Sequence, residues 1–260
     1  MEDVTVTKKV KIIDLSVTLD NTLKQTWPPE ITYFDHQEVI KIRGAKLGLK
    51  PEDYPDGAAL AMEKINLVSH AGTHLDAPFH FGPRSEGKPS KTIEQIPLEW
   101  CYSDGVVLDL RHKKEGESIS PDDIQEALRK IKYRIKPYDI VLIMTGADKF
   151  LDDPNYADIN PGMSSEATLW LIDQGVKVMG IDGWGFDKGA THMVKEFKAG
   201  NKKALWPSHV AGRAKEYCHI EQLANLDKIP KPYGFKVAVF PIKIAKASAG
   251  WARAVAILEE

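Results

Sequence analysis

The sequence of 260 residues contains only two cysteines, Cys101 and Cys218, which are too few for a disulfide framework. Its longest stretch without a charged residue, Ile65 to Leu75, covers eleven residues, whereas a membrane-spanning helix needs roughly 20. The chain has no basic excess, because 35 Lys and Arg face 37 Asp and Glu; this balance argues against nucleic-acid binding. The first fifteen residues contain neither the apolar run nor the cleavage site of a secretory signal. We therefore expect a cytoplasmic protein that binds neither nucleic acid nor membrane.

Internal repeats, low-complexity segments and Ser/Gly linkers are also missing, so we expect residues 1–260 to form a single domain. Hydrophobic residues make up 43% of the chain and charged residues 28%, which is the composition of an ordinary globular protein. A chain of this length buries a real core. The composition thus excludes disorder as the dominant state.

Segments typical of strands alternate with segments typical of helices. Ser120 followed by Pro121 and two acids predicts a helix to about Ile131, and Ser164 or Ser165 caps a second helix that ends at Gly175. Segments rich in β-branched and apolar residues predict strands at 10–19 (one strand or a pair), 105–110, 139–146, 176–182, 235–244 and 252–258. Glycines and prolines predict an irregular excursion over 44–62. This alternation indicates a mixed α/β domain with a partly parallel sheet.

The most informative segment runs from Ser69 to His80, where three of the eight histidines fall within eleven residues around Asp76. Gly72, Thr73 and Pro78 argue against a helix. In an extended chain, side chains of equal parity point to one side. That side would carry His70, His74, Asp76 and His80, while Ala71, Thr73, Leu75, Ala77 and Phe79 would face the core.

Imidazole and carboxylate together form the ligand set of Zn²⁺, Mn²⁺ or Fe²⁺. The alternative is a set of ordinary histidines satisfied by hydrogen bonds. Burial of four such polar side chains without a metal would cost several kcal/mol of desolvation. The cluster therefore predicts a metal site.

The pattern His-x-Gly-Thr-His-x-Asp-x-Pro-x-His at residues 70–80 resembles the signature of the metal-dependent cyclase family of hydrolases, with every fixed position present. That family includes bacterial kynurenine formamidases, isatin hydrolases and some dienelactone hydrolases. Weaker resemblances lie at Asp14-Leu15-Ser16, Trp27-Pro28, Gly180-Ile181-Asp182, His209 with Glu221 twelve residues later, and Arg253-Ala254. The resemblance implies a swivelling β/β/α fold, a single domain with a mixed, barrel-like sheet flanked by helices.

The resemblance also implies roles for particular residues. One metal would be bound by His70, His74 and Asp76, with Asp76 bridging to a second metal. His209 and Glu221 would complete the second position, and an anionic Glu221 favours two metals over one. His80 would be the catalytic acid/base, and Trp27 would line the pocket and stack on an aromatic substrate. The cofactor would be a divalent metal, Zn²⁺ or Mn²⁺, one or two per chain.

By this resemblance the reaction would be hydrolysis of a C–N bond in a non-peptide amide, as in the deformylation of N-formylkynurenine in tryptophan catabolism. Alternatives are the opening of a cyclic amide or lactone, a metal-dependent lyase or dehydratase, and a binding protein without turnover. The presence of His80 speaks against the last. A metal lowers the pKa of bound water toward ~7, so the nucleophile would be water, and no Gly-x-Ser-x-Gly elbow occurs. The partners would be a small, aromatic substrate and further copies of the chain in a homodimer or homotetramer.

Two assignments stay open at this point. His219 competes with His209 as the late ligand: family spacing favours His209, but His219 would share a face with Glu221 if that segment is extended. The glycine-rich segment around Trp184 is either a pocket wall or a hydrophobic plug. The chain is longer than the compact formamidases of the family, and segments 35–62 and 187–208 look like the additional material. Such insertions would reshape the pocket.

Overall fold

The structure is a computed structural model that describes residues 9–23 and 27–259. The chain divides into two compact units, residues 19–68 and the remainder, which are described in turn below. The single domain expected over residues 1–260 stays a prediction.

Strands and helices alternate along the described residues. The strands are β1 Val10–Asp14, β2 Glu30–Phe34, β3 Met62–Asn66, β4 His74–Asp76, β5 Arg84–Ser85, β6 Lys88–Pro89, β7 Tyr102–Asp109, β8 Ser118–Ile119, β9 Ile140–Met144, β10 Gly162–Met163, β11 Val178–Ile181, β12 Cys218–Glu221, β13 Tyr233–Ala238, β14 Ala249–Trp251 and β15 Val255–Glu259. The α-helices are α1 His36–Val39, α2 Ala45–Leu47, α3 Pro78–Phe81, α4 Pro121–Ile131, α5 Ser165–Asp173, α6 Ala190–Lys198 and α7 Pro207–Ala214. A π-helical turn covers Ile40–Gly44, and short 3₁₀ turns cover Pro51–Asp53, Pro55–Gly57, Ile93–Gln95, Leu98–Trp100, Ala147–Phe150 and Leu226–Lys228.

The larger unit is built on one nine-stranded sheet in the order β1-β15-β13-β7-β9-β11-β12-β4-β14. The central run from β7 through β9 and β11 to β12 is parallel, and the strands on both sides pair antiparallel. The sheet is therefore mixed and partly parallel, and it curls into a half-barrel, as expected.

Both faces of the sheet are buried at β9, which explains why this central strand, Ile140–Met144, is apolar at every position. In β9, Leu142 belongs to one core cluster and its neighbours Val141 and Ile143 to another. The first cluster joins side chains from opposite ends of the sheet, such as Ile13 and Leu75, so it fills the inside of the curl. The second cluster contains the buried faces of α4 and α5, which cover the other side.

The smaller unit, residues 19–68, contains the antiparallel hairpin of β2 and β3 and the short helical turns between them. Asp35 caps α1 with a reciprocal capping box involving Glu38. A small core forms around Val39, Ile40 and Ala59. The turns over 44–62 match the irregular excursion that the sequence predicts.

Most predicted elements are confirmed, although several are shorter than predicted. Of the segment 10–19, only Val10–Asp14 is a strand. The strand that starts at Tyr233 ends at Ala238, before Pro241. The extended conformation predicted for the whole of 70–80 is wrong. Only His74–Asp76 is a strand, and Pro78–Phe81 forms one turn of α-helix with Pro78 at its first position. Phe79 is consequently 44% exposed and does not face the core.

Among the helices of the described residues, none combines the length and apolarity that a bilayer crossing requires. Residues 1–8, which contribute to the expectation of no secretory signal, lie outside the described residues.

Candidate metal centre

The centre is built on the pairing of β4 with β12, where the ladder sets Asp76 opposite His219 and His74 opposite Glu221. Directly opposed residues of an antiparallel pair share one face of the sheet, and so do residues two apart on one strand. These four side chains thus form a single patch. They are buried, with relative exposures of 0% for His74, Asp76 and His219 and 8% for Glu221.

His74 is oriented by the turn that precedes β4. Gly72 in this turn has φ +61°, a left-handed conformation that favours glycine, and its carbonyl accepts a 2.7 Å hydrogen bond from His74 Nδ1. Because a carbonyl only accepts, Nδ1 carries a proton, and Nε2 is the nitrogen that faces the carboxylates. That Nε2 lies 3.3 Å from Asp76 Oδ1 and 3.6 Å from Glu221 Oε2.

His70 and His80 approach Asp76 from the two ends of β4. His70 Nδ1 lies 2.8 Å from Asp76 Oδ1, and its Nε2 is 2.9 Å from Ser248 Oγ. His80, on α3, places Nε2 3.7 Å from Asp76 Oδ2. The His70 and His80 rings stand 4.1 Å apart, and one third of the His80 side chain (33%) is accessible. His80 therefore combines proximity to the carboxylates with access for a small molecule.

His209 enters the centre from α7 and is held by Asp187. Asp187 Oδ2 accepts a 2.6 Å hydrogen bond from His209 Nδ1, and Oδ1 accepts from both the amide and the hydroxyl of Ser208 at 2.7 Å. The free edge of the ring then points inward, with Nε2 3.7 Å from Glu221 Oε1 and 3.9 Å from Asp76 Oδ2. A carboxylate behind an imidazole in this way is the usual arrangement for a metal-binding histidine.

His219 lies closer to both carboxylates than His209 does. Its Nε2 is 3.0 Å from Asp76 Oδ2 and 3.3 Å from Glu221 Oε1. Its Nδ1 is 3.0 Å from the hydroxyl of Tyr217, which itself donates to the Ser208 carbonyl at 2.9 Å. The extended conformation that would place His219 and Glu221 on one face is present as β12.

The loop 183–187 closes the centre from the carboxyl end of β11. The Phe186 amide donates a 2.8 Å hydrogen bond to Glu221 Oε1. Asn160 fixes this loop, since its Nδ2 donates to the carbonyls of Gly185 and Asp187 at 3.1 and 3.2 Å. The segment around Trp184 thus carries Phe186 and Asp187 toward the centre, whereas the Trp184 ring packs on buried Tyr156.

The two carboxylates are stabilised in their charged forms. Burial alone would raise the pKa of Asp76, but the charges of His80 and His74 and hydrogen bonds from His219 and His70 outweigh it and hold that pKa well below its usual value. Burial likewise opposes the shift at Glu221, whose pKa is lowered mainly by its hydrogen bond with His219. At His80, desolvation dominates and lowers the pKa to about 4.

These donors fit a divalent cation. Among the described residues, His74 Nε2 is buried without a hydrogen-bond partner, although buried polar atoms are normally satisfied. Asp76 and Glu221 each direct one oxygen toward His74 and the other toward His209 and His219. In two groups of side chains the ligand atoms lie close enough together to bind one cation: Asp76 with His209, His219 and Glu221, and Asp76 with His70 and His80.

The predicted metal ligands thus meet in one place: His70, His74, Asp76, His209 and Glu221, with His80 beside them. Their roles stay predictions, as does that of Trp27, which lies in the unit 19–68 and is 67% exposed. The sequence reasoning did not identify Asp187, Tyr217 or Ser248. Their partners lie elsewhere in the chain or in a different element, so no local pattern marked them.

Three comparisons identify similar proteins. The Cyclase family model matches residues 13–188, more than half of the chain. The kynurenine formamidase of Bacillus anthracis is 23% identical over 67% of this chain and 69% of its own length. The isatin hydrolase of Roseibium aggregatum is 24% identical over 78% of this chain and 77% of its own. A crystal structure of an isatin hydrolase bound to the product analogue thioisatinate has a TM-score of 0.76 and 21% identity, and covers 96% of this chain and 93% of that one.

The structural likeness agrees with the observed fold, and the family match includes the whole His70–His80 segment. The resemblance inferred from the sequence is therefore confirmed, and the chain belongs to the cyclase family.

Proposed function

We propose that this protein is a metal-dependent hydrolase that cleaves the C–N bond of a non-peptide amide with water. The observation that carries the proposal is the convergence of histidine Nε2 atoms on the buried carboxylates of Asp76 and Glu221. The names of the similar proteins, kynurenine formamidase and isatin hydrolase, support hydrolysis of an amide.

In this proposal, His70, His74 and Asp76 would hold one divalent cation, Zn²⁺ or Mn²⁺, and Asp76, His209 and Glu221 would hold a second. A bound cation lowers the pKa of a coordinated water toward ~7 and polarises a carbonyl oxygen. Glu221 and Asp76 supply the negative charge that such cations require, because both are buried and held in the charged form.

His80 carries the proton in this reaction. The water oxygen bonds to the acyl carbon, His80 Nε2 takes the proton from that water, and the C–N bond breaks as His80 returns the proton to the departing nitrogen. The products are a carboxylic acid and an amine, so atoms and charge balance. The accessible edge of His80 near Asp76 suits this role.

We propose an arylformamide as the substrate, with N-formylkynurenine as the first compound to test and Trp27 as the residue that stacks on its ring. A second candidate is the opening of a cyclic amide such as isatin. The alignment with the isatin hydrolase favours it, since that alignment extends over 212 residues against 175 for the formamidase.

The test is a hydrolysis assay on both compounds with chelator-treated and metal-reloaded protein. Formate and the free arylamine should form from N-formylkynurenine only after reloading, and an acid of ring-opened isatin would assign the second candidate. Metal binding without turnover of either compound would refute both substrates while leaving the centre in place. The homodimer or homotetramer and the cytoplasmic location stay predictions; light scattering of the purified protein tests the first.

A further inference from the structure

We infer that His219 is a metal ligand in addition to His209, so that four protein side chains hold one of the two cations. This inference rests on the proposed function, because it concerns the cation position between Asp76 and Glu221. The family resemblance assigns no role to His219. Its Nε2 nevertheless lies closer to Glu221 than the Nε2 of His209 does.

The backbone fixes where His219 stands. The β4–β12 ladder sets it directly opposite Asp76, and it shares a strand and a face with Glu221. Two aromatic rings then fix its plane, since Phe186 stacks on it at 4.6 Å with a 20° tilt and Phe81 lies at 4.9 Å. The ring therefore cannot turn away from the carboxylates without displacing buried neighbours.

The hydrogen bonds of Tyr217 determine which nitrogen of His219 is left to bind a cation. Tyr217 has one hydroxyl proton and donates it to the Ser208 carbonyl, so its oxygen accepts from His219 Nδ1–H. Nε2 is then the nitrogen that faces Asp76 Oδ2 and Glu221 Oε1. In the metal-free protein this nitrogen pairs with the two carboxylates through a proton, and a cation bound between them would take the place of that proton.

The spacing of the donor atoms suits a small cation. Bonds of about 2.1 Å at tetrahedral angles separate ligand atoms by roughly 3.4 Å. His219 Nε2 lies 3.0 Å from Asp76 Oδ2 and 3.3 Å from Glu221 Oε1. His209 Nε2 lies 3.9 Å from Asp76 Oδ2 and 3.7 Å from Glu221 Oε1. The ligand atoms of all four side chains therefore lie close enough together to bind one cation.

A consequence distinguishes the two cation positions. Four protein ligands complete a tetrahedral Zn²⁺ shell, as in closed structural sites, whereas catalytic sites leave a position for water or substrate. The position of His209 and His219 would therefore bind its cation tightly. Substrate and water would be handled on the side of His70 and His74, next to the accessible edge of His80.

The direct test uses the intact chain labelled with ¹⁵N-histidine and loaded with ¹¹³Cd²⁺. A bond to the metal gives a one-bond coupling between ¹¹³Cd and His219 Nε2, with the signal assigned by its loss in His219→Gln. The inference predicts this coupling together with one at His209 Nε2. A proton on His219 Nε2 without coupling would overturn the inference, because the ring would then be an imidazolium that pairs with Asp76, while couplings at His70 or His74 would leave the proposed function standing.

Metal affinity supplies a second readout. By competition with a chromophoric chelator, His219→Gln should weaken the tighter Zn²⁺ site by at least ~100-fold, beyond the 10- to 100-fold typical of an outer-shell partner. The matched control is His192→Gln, since His192 also pairs with a carboxylate, Glu115 at 3.0 Å, outside the centre. Unchanged affinity in a folded His219→Gln variant would refute the inference; a wild type that binds no cation would refute the proposed function as well.

Discussion

Asp187→Asn is the substitution that most sharply tests how His209 is prepared to bind a metal. Asp187 is 4% exposed, and its two oxygens accept three hydrogen bonds, two from Ser208 and one from His209 Nδ1. Asparagine keeps the shape but replaces one acceptor oxygen by an NH₂ donor. One side of the new amide must therefore face a donor.

If the NH₂ faces His209, the ring must move its proton to Nε2 in order to accept at Nδ1. The Nε2–H then points at Asp76 and Glu221, and His209 can no longer bind a cation. We expect Zn²⁺ affinity to fall by about 10- to 100-fold, equivalent to about 1.4–2.8 kcal/mol.

If the amide turns over, His209 keeps its acceptor but the Ser208 amide in the first turn of α7 loses one. A buried unsatisfied donor costs about 1–3 kcal/mol, so the free energy of unfolding of the metal-free protein should fall by that amount. In either orientation of the new amide, the Zn²⁺ affinity or the free energy of unfolding changes.

The assay combines chelator competition for Zn²⁺ with urea unfolding of chelator-treated protein. The control is Asp109→Asn, which alters a surface carboxylate paired with Arg111 and should change neither quantity by more than about 0.5 kcal/mol. Wild-type affinity together with wild-type stability in Asp187→Asn would refute the assigned role of Asp187.

Three further outcomes are expected. His80→Ala should retain its metal but lose turnover by at least ~10² in a kcat measurement, and full activity would remove His80 from the mechanism. Asp76→Ala should lose both cations in elemental analysis, because Asp76 directs one oxygen to each position; stoichiometric metal in the variant would contradict this bridging. Burial raises the pKa of Asp182 to about 6, although hydrogen bonds from Thr145 and Gly146 act in the opposite direction. Between about pH 4 and pH 6 this carboxyl is therefore ionised in the unfolded chain but still protonated in the folded one. The free energy of unfolding should fall by up to about 3 kcal/mol as the pH rises through this range. A ¹³C titration of the Asp182 carboxyl and urea unfolding across this range check the prediction, and a midpoint near 4 would contradict it.

The sequence predicts the centre well where its residues are local. His70, His74, Asp76 and His80 lie within eleven residues, and their residue types indicate a metal site. These side chains do not converge through an extended chain over residues 70–80, as the sequence predicts. An extended strand covers only His74–Asp76, and a one-turn helix begun by Pro78 delivers His80.

The remaining residues of the centre depend on long-range pairing. His219 meets Asp76 through the register of β12 with β4, across 143 residues of sequence. Asp187 acts through His209 on α7, and neither side chain lies in a pattern that marks the other. Alternation of strand and helix predicts β7, β9 and β11, because their buried segments are apolar runs. It does not predict β12, the fourth strand of the parallel centre, which carries His219 and Glu221. It does not predict which antiparallel strands flank that centre, since their order follows from the curl of the sheet.

The most direct test of the metal centre is elemental analysis of the purified chain after reconstitution with Zn²⁺ or Mn²⁺ and removal of free metal. The account predicts about two cations per wild-type chain and none in Asp76→Ala. A wild-type chain that retains no divalent metal under these conditions would contradict it.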